Sequence, residues 1–182
     1  MGKMMPTASS STPTTSHHAE TSSSVPPRFQ AKHGRRVIVI PCSASKSDAP
    51  YGLPAGSMYT GSFHAFARRQ AERLHADQIL IMSAGSGLLC LDTMVARYDI
   101  KITDKTSIAF GAGPKILKDQ ATHLKLFKAG VVVVSFCPTL YTTTLKAVLP
   151  ALLTPLAGSR GIGEQRGRLA ALDEDALFSP HS

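Results

Sequence analysis

Three short runs of apolar, mostly β-branched residues constrain this chain more than any other feature of its sequence. They span residues 37–40, 78–83 and 131–136. Each run is apolar at consecutive positions, whereas a strand with one face in water alternates apolar and polar residues. Consecutive apolar residues are typical of parallel strands that helices cover on both faces. The runs therefore predict a short, buried, mostly parallel central sheet.

Segments with helical spacing separate and follow these runs. Residues 62–77 place apolar side chains three and four positions apart, which predicts an amphipathic helix with Ser62 as its N-cap. Further helices are predicted within residues 106–128, 138–149 and 163–172, and glycines and a proline should break the start of the first of these. The alternation of strands and helices predicts an α/β fold, a three-layer sandwich with right-handed crossovers.

The chain divides into a polar start and one folded domain. Residues 1–35 are rich in Ser, Thr and Pro, which predicts a disordered tail, and residues 36–182 are long enough for a single α/β domain. No apolar stretch approaches the roughly 18 residues of a membrane helix, and no secretory signal is recognisable. We expect a cytoplasmic protein without membrane contact.

Charge and cysteine content narrow the classes of partner. The formal net charge is +8, and most of it lies on the predicted domain, which favours a polyanionic partner such as nucleic acid. The three cysteines, Cys42, Cys90 and Cys137, have no metal-ligand or disulfide spacing. We expect no metal, no cofactor and no obligate protein partner.

The segment after the first strand is a long polar loop. Ser43, Ser45 and Lys46 follow the strand directly, at the sheet edge where open α/β sheets bind ligands. Their hydroxyl, amide and ammonium groups suit an anion. The alternative is that they cap turns and face solvent.

The segment after the second strand combines small and chemically active residues. Gly85 and Gly87 after Ser83 would let the backbone approach a ligand closely, although the run is not a dinucleotide-binding motif. Tyr98 and Asp99 follow on a mostly apolar stretch, where the pKa of a carboxylate can be tuned. In the alternative, Asp99 caps a turn or pairs with Arg97.

The third strand leads into a predicted helix whose first turn carries Tyr141, which either stacks on a base or packs internally. Cys42 and Cys137 both follow strands, and buried, unreactive thiols are favoured over a nucleophile or metal ligands. Arg160 and Arg166 flank a Gly-rich helix start that could contact phosphates. A solvated C-terminal helix is the alternative.

The motifs PCSxSK, YTGSF, ILIMSAGSGLL and ARYDIKI occur here in this order. Together they resemble a bacterial and phage family of small uncharacterised domains, distantly related to YaaA-type peroxide-stress proteins and to base-exchange relatives of tRNA-guanine transglycosylases. The resemblance covers about residues 36–172. The matching positions are Cys42, Ser43, Lys46, Tyr59, Ser83, Gly87, Tyr98 and Asp99. Gly85-Ser86 departs from the family pattern, which often has Lys or Arg followed by Tyr.

An anti-phage DNA glycosylase that acts on glucosylated hydroxymethylcytosine looks like a member, so the resemblance implies an N-glycosidase acting on DNA that carries a modified base. Asp99 would be the catalytic carboxylate, with Tyr98 and Ser83 beside it, and Tyr59 could stack on a base turned out of the duplex. The remaining predicted contacts are Cys42, Ser43, Ser45, Lys46, Gly85, Gly87 and Tyr141 to the substrate and Arg68, Arg69, Arg160 and Arg166 to the DNA backbone. Two alternatives stay open: a nonenzymatic nucleic-acid-binding or stress-response module, and a hydrolase or transferase of free nucleosides or nucleotides.

Overall fold

Strands and helices alternate along the chain as the apolar runs predict. The computed structural model describes residues 34–178. In chain order, the elements are β1 (Arg35–Pro41), β2 (Leu53–Pro54), α1 (Ala55–Met58), α2 (Ser62–Arg73), β3 (Gln78–Ser83), β4 (Gly87–Cys90), β5 (Met94–Val95), α3 (Gly113–His123), β6 (Val131–Ser135), α4 (Thr139–Lys146), α5 (Ile162–Ala171) and α6 (Glu174–Phe178).

The main sheet has four strands in the order β4-β3-β1-β6. β1 lies parallel to both neighbours, so that Val37 is opposite Gln78 on β3 and Val133 on β6. β4 pairs antiparallel with β3, and its first residue, Gly87, has a φ of +78°. The sequence does not predict β4, because four residues are too short to show a strand period. The sheet is therefore mostly parallel with one antiparallel edge strand.

Helices cover both faces of this sheet, which confirms the three-layer α/β architecture. Val37 and Val39 pack toward α3 and α4, in a cluster that includes Leu117. Ile38 and Ile40 pack toward α2 and α5, in a cluster that includes Leu169. Successive side chains of a strand point to opposite faces, so the buried residues Val37–Ile40 of β1 contribute to both clusters.

Helices α2 and α5 run side by side in the same direction. Arg166 on α5 donates to the hydroxyl of Ser62 at the start of α2, at 3.0 Å. At the other end, Arg73 on α2 donates to the carbonyl of Leu172, which follows α5, at 3.0 Å. The N-cap of α2 is Gly61 and no side chain caps the helix, so the predicted N-cap role of Ser62 is wrong.

The predicted disordered tail falls, apart from its last two residues, outside the described residues. Arg35, which the sequence places in the tail, already belongs to β1 because it pairs with Val131. The described residues 34–178 belong to one compact unit. Within the part of the chain that the structure describes, no helix is long and apolar enough to span a membrane.

His64 connects α2 to the end of β1. It is buried, and its Nδ1–H donates to the carbonyl oxygen of Pro41 at 2.7 Å, which fixes the neutral tautomer. Its Nε2 is buried without a partner among the described residues. Burial lowers the pKa of His64 below its usual value of 6.5, and the nearby Arg68 acts in the same direction.

We expect His64 to make the protein less stable in mildly acidic solution. Below about pH 6.5 the unfolded chain binds a proton at this imidazole and the folded protein does not, so the free energy of unfolding should fall as the pH is lowered. His64→Asn keeps an N–H donor for Pro41 and should flatten this dependence between about pH 7.5 and pH 5.5 in urea unfolding. His123→Asn, at an exposed position, is the matched control and should leave the slope unchanged. If the free energy of unfolding depended equally on pH in the unchanged protein and in both variants, the role assigned to His64 would be contradicted.

Candidate functional site

The long loop after β1 and the segment after β4 are held together at the carboxyl edge of the sheet. β2 and β5 pair antiparallel, with Leu53 opposite Val95. The loop also folds back on itself, since Lys46 and Tyr59 form an antiparallel bridge. These pairings, none of which the sequence predicts, bring the predicted site residues of the two segments next to each other.

Three hydroxyl groups meet there in what we call the hydroxyl cluster, formed by Tyr59, Tyr98 and Ser83. The Tyr98 hydroxyl lies 2.7 Å from Oγ of Ser83 and 3.0 Å from the hydroxyl of Tyr59. Oγ of Ser83 also accepts a hydrogen bond from the Ser86 amide at 3.1 Å. The two contacts between hydroxyls use two of the three hydroxyl hydrogens, so one hydrogen remains to be donated.

The two phenols stay protonated near neutral pH. Burial raises the pKa of Tyr98 far above its usual range, and the neighbouring Cys42 sulfur acts in the same direction. Burial also raises the pKa of Tyr59. The cluster therefore supplies hydrogen-bond donors and no negative charge.

The Tyr98 ring lies close to two other predicted site residues. Nζ of Lys46 lies 4.5 Å from the ring centroid, a cation–π contact. A Cβ added to Gly85 would lie 3.2 Å from the ring. The close approach predicted for Gly85 is made by Tyr98, and the role of Gly85 in substrate binding stays a prediction.

Ser43 and Ser45 shape the loop. The Ser43 hydroxyl donates to the carbonyl of Ser45 and accepts from the amide of Gly61 at 3.1 Å. A Cβ on Gly61 would lie 2.5 Å from Cβ of Ser43, so this contact requires a glycine. The geometry of Ser43 matches the turn-capping alternative, and Ser45 has an exposed side chain.

The third predicted segment joins the site through Tyr141. Its hydroxyl lies 3.3 Å from Sγ of Cys42, and burial raises the pKa of Tyr141 above its usual range. Cys137 is buried, as predicted, and burial likewise raises the pKa of its thiol. Cys42 is half-buried, so the prediction of a buried thiol is wrong for Cys42. Among residues 34–178 no group of His, Cys, Asp or Glu side chains could hold a metal ion.

Asp99 is exposed and follows Tyr98 directly. Arg97 forms an ion pair with Asp48, so the expected alternative of an Asp99–Arg97 pair is wrong. Asp104 accepts from the amide of Lys101 at 2.7 Å. Within the described part of the chain, Asp99 has neither an ion pair nor a hydrogen bond and is available to a ligand.

Two clefts lie near these residues. The first has a volume of about 330 Å³ and is lined by Gly85, Ser86, Arg97 and Tyr98 among others. The second has a volume of about 320 Å³, and Tyr141, Arg160 and Gln165 are among its lining residues. Gln165 is a buried polar residue that the sequence analysis missed. Its place four residues before Leu169, on the buried side of α5, was the available signal.

The four predicted backbone-binding arginines differ in their surroundings. Arg68 bonds to Glu72 and to the carbonyl of Gly56. Arg69 and Arg166 lie on the α2–α5 layer near the Phe66 ring. Their guanidinium carbons are 5.8 and 5.5 Å from the centroid of this ring. Arg160 lies apart from these, in the second cleft.

Replacing Tyr98 by Phe should destabilise the fold. The change removes the hydroxyl that contacts both Ser83 and Tyr59. The buried Tyr59 hydroxyl loses this partner and Ser83 keeps only the Ser86 amide, so we expect the free energy of unfolding in urea to fall by about 1–3 kcal/mol. Tyr51→Phe is the matched control, because the Tyr51 side chain is 69% exposed. Equal unfolding midpoints for the two variants would show that the cluster contributes no stability.

Comparison with known proteins gives a family and no characterised relative. No curated protein and no solved structure matches the chain. Residues 37–171 match the model of a family of unknown function, DUF6884. This range runs from β1 to the end of α5 and includes the hydroxyl cluster and both clefts. Because the match covers most of the chain, the protein belongs to the DUF6884 family.

Proposed function

We propose that the protein is an N-glycosidase that removes a modified base from DNA, as a defence against phage. The observation that carries the proposal is the neighbourhood of Tyr98 and Asp99. The hydroxyl cluster has one hydrogen left to donate, and the next residue is an exposed carboxylate without a partner among the described residues. Hydrolysis of an N-glycosidic bond needs both a hydrogen-bond donor at the departing base and a carboxylate at the sugar.

The reaction assigns one role to each group. Water attacks C1′ of the sugar, the C1′–N bond breaks, and its electron pair leaves with the base. The carboxylate of Asp99 stabilises the developing positive charge on the sugar and receives the proton of the water. A proton from solvent completes the free base, while the hydroxyl of Tyr98 donates a hydrogen bond to it. The products are the base and an abasic sugar.

The first cleft would receive the base. A base inside a duplex cannot be reached in place, so it must be turned out of the stack. The cleft beside Tyr98 offers an aromatic ring and the backbone around Gly85 for its face and edges. Lys46, held over the Tyr98 ring, would attract the adjacent phosphate.

The charge distribution supports a polyanionic substrate. The net charge of +8 would be partly neutralised by phosphates. Arg69 and Arg166 lie on the α2–α5 layer, where Arg166 also donates to Ser62, and the exposed Arg160 lines the second cleft. Arg68 already bonds to Glu72 and Gly56, so we expect it to contribute less. Activity on replicating phage DNA would place the protein in the cytoplasm.

Asp99→Asn should abolish base release and spare DNA binding. The amide is nearly isosteric but carries no charge and accepts no proton, so we expect the rate to fall by about 10²-fold or more. The assay incubates the protein with unmodified, hydroxymethylated and glucosylated phage DNA, and alkali then converts abasic sites to strand breaks. Asp92→Asn, an exposed carboxylate at the β4–β5 turn, is the matched control.

Each outcome of this assay discriminates between functions. Breaks in one type of DNA that disappear with Asp99→Asn and persist with Asp92→Asn would support the proposal. Breaks that survive Asp99→Asn would exclude Asp99. Salt-sensitive binding without breaks would favour a nonenzymatic binding module, and salt-insensitive turnover of free nucleosides would favour a nucleoside hydrolase.

Lys46→Ala should weaken substrate capture more than turnover. The change removes an ammonium group beside the Tyr98 ring, so we expect KM to rise several-fold and kcat to change little. Lys118→Ala removes an exposed lysine from α3 and serves as the control for net charge. Equal KM values for the two variants would contradict the role of Lys46.

A further inference from the structure

Two helices begin at the second cleft. α4 and α5 lie on opposite faces of the sheet, and their first residues meet beyond the carboxyl end of β6. The cleft is lined by Pro138, Thr139 and Leu140 from α4 and by Ser159, Arg160 and Gly161 before α5. Two helix dipoles therefore direct their positive ends to one place.

The amides at these helix starts have no side-chain caps. The first backbone hydrogen bonds within the helices run from Thr142 to Pro138 and from Gln165 to Gly161. Neither N-cap residue, Pro138 or Gly161, accepts a hydrogen bond with its side chain. Just before α5, the backbone amide of Arg160 donates to the carboxylate of Glu164 at 2.9 Å, and Arg168 also bonds to this carboxylate. The N–H groups of Ile162 and Gly163 and those of the first turn of α4 have no acceptor among the described residues and can bind an anion.

Gln165 gives independent support for a ligand at this position. The residue is only 6% exposed and lines the cleft, and its Oε1 has no hydrogen-bond partner among the described residues. Oγ of Ser159, another lining residue, is also buried and unpartnered there. A buried acceptor without a donor is unfavourable, and a ligand with an N–H or O–H group would supply the missing hydrogen bond.

Together these groups are suited to bind a single nucleotide of a nucleic acid. Uncapped amides and Arg160 suit a phosphate, while the acceptor atoms of Gln165 and Ser159 suit the N–H groups of a base. Tyr141 supplies an aromatic ring in the same cleft. A volume of about 320 Å³ is within the range of small-ligand sites.

We propose that this cleft binds the nucleotide adjacent to the one whose base is removed. This assignment rests on the proposed function, because the base to be removed would occupy the first cleft. The phosphate lies at the starts of α4 and α5, and an N–H group of the base donates to Oε1 of Gln165.

The test is a titration of the full ¹⁵N-labelled chain with 2′-deoxycytidine 5′-monophosphate, followed by NMR. We expect the backbone amides of Ile162, Gly163 and Leu140 and the carboxamide of Gln165 to shift. 2′-Deoxycytidine, which lacks the phosphate, should shift none of these backbone amides. Absence of these shifts at millimolar nucleotide would overturn the proposal, and so would equal shifts with inorganic phosphate and no response of Gln165.

Variants separate a specific site from a general effect of charge. Arg160→Ala, at an exposed residue, should weaken nucleotide binding about fivefold. Gln165→Glu places a negative charge beside the phosphate and should weaken it about tenfold or more. Lys118→Ala should bind as the unchanged chain does. Equal affinity of Arg160→Ala and Lys118→Ala would overturn the proposal even if Gln165→Glu does not fold.

The titration and the base-release assay fail independently. Nucleotide binding in this cleft without base release from any DNA would support the cleft assignment and overturn the glycosidase. Base release that requires Asp99, without shifts at α4 and α5, would support the glycosidase and overturn the cleft assignment.

Discussion

The fold is organised around the burial of the central part of β1. Its residues from Val37 to Ile40 have no exposed surface, because strands lie on both sides and helices on both faces. Such a strand can exist only if the chain leaves the sheet and returns by crossovers. All three parallel strands therefore end at the same edge, and the segments that follow them are brought together there.

At this edge the protein keeps a polar network against an apolar core. Ser83 is fully buried, so its hydroxyl must be hydrogen-bonded, and Tyr98 and the Ser86 amide meet that requirement. Tyr98 can reach Ser83 because Gly85 leaves room for its ring. The same contacts that satisfy the buried serine hold the phenol at the mouth of the first cleft, next to Asp99.

The two clefts make different chemical demands on a ligand. The first offers a phenol, a nearby lysine and an adjacent free carboxylate, which suit a polar reaction at a sugar. The second offers helix amides, Arg160 and the buried carboxamide of Gln165, which suit recognition of a phosphate and its base. Tyr141 borders the second cleft and contacts Cys42, the residue that directly follows β1.

The sequence by itself determined the strands, the main helices and the segments that form the site, because consecutive apolar residues and helical spacing are local properties. It also predicted the membership of Tyr98, Ser83, Tyr59 and Lys46 in one site. Four features became visible only in the folded protein. β4 joins the sheet, and Gly61 is the N-cap of α2 in place of Ser62. Arg97 pairs with Asp48 and leaves Asp99 without an ion pair among the described residues, and Gln165 is buried in a cleft. Each of these depends on which distant residues become neighbours, and that follows from the packing of the elements and not from their local sequence.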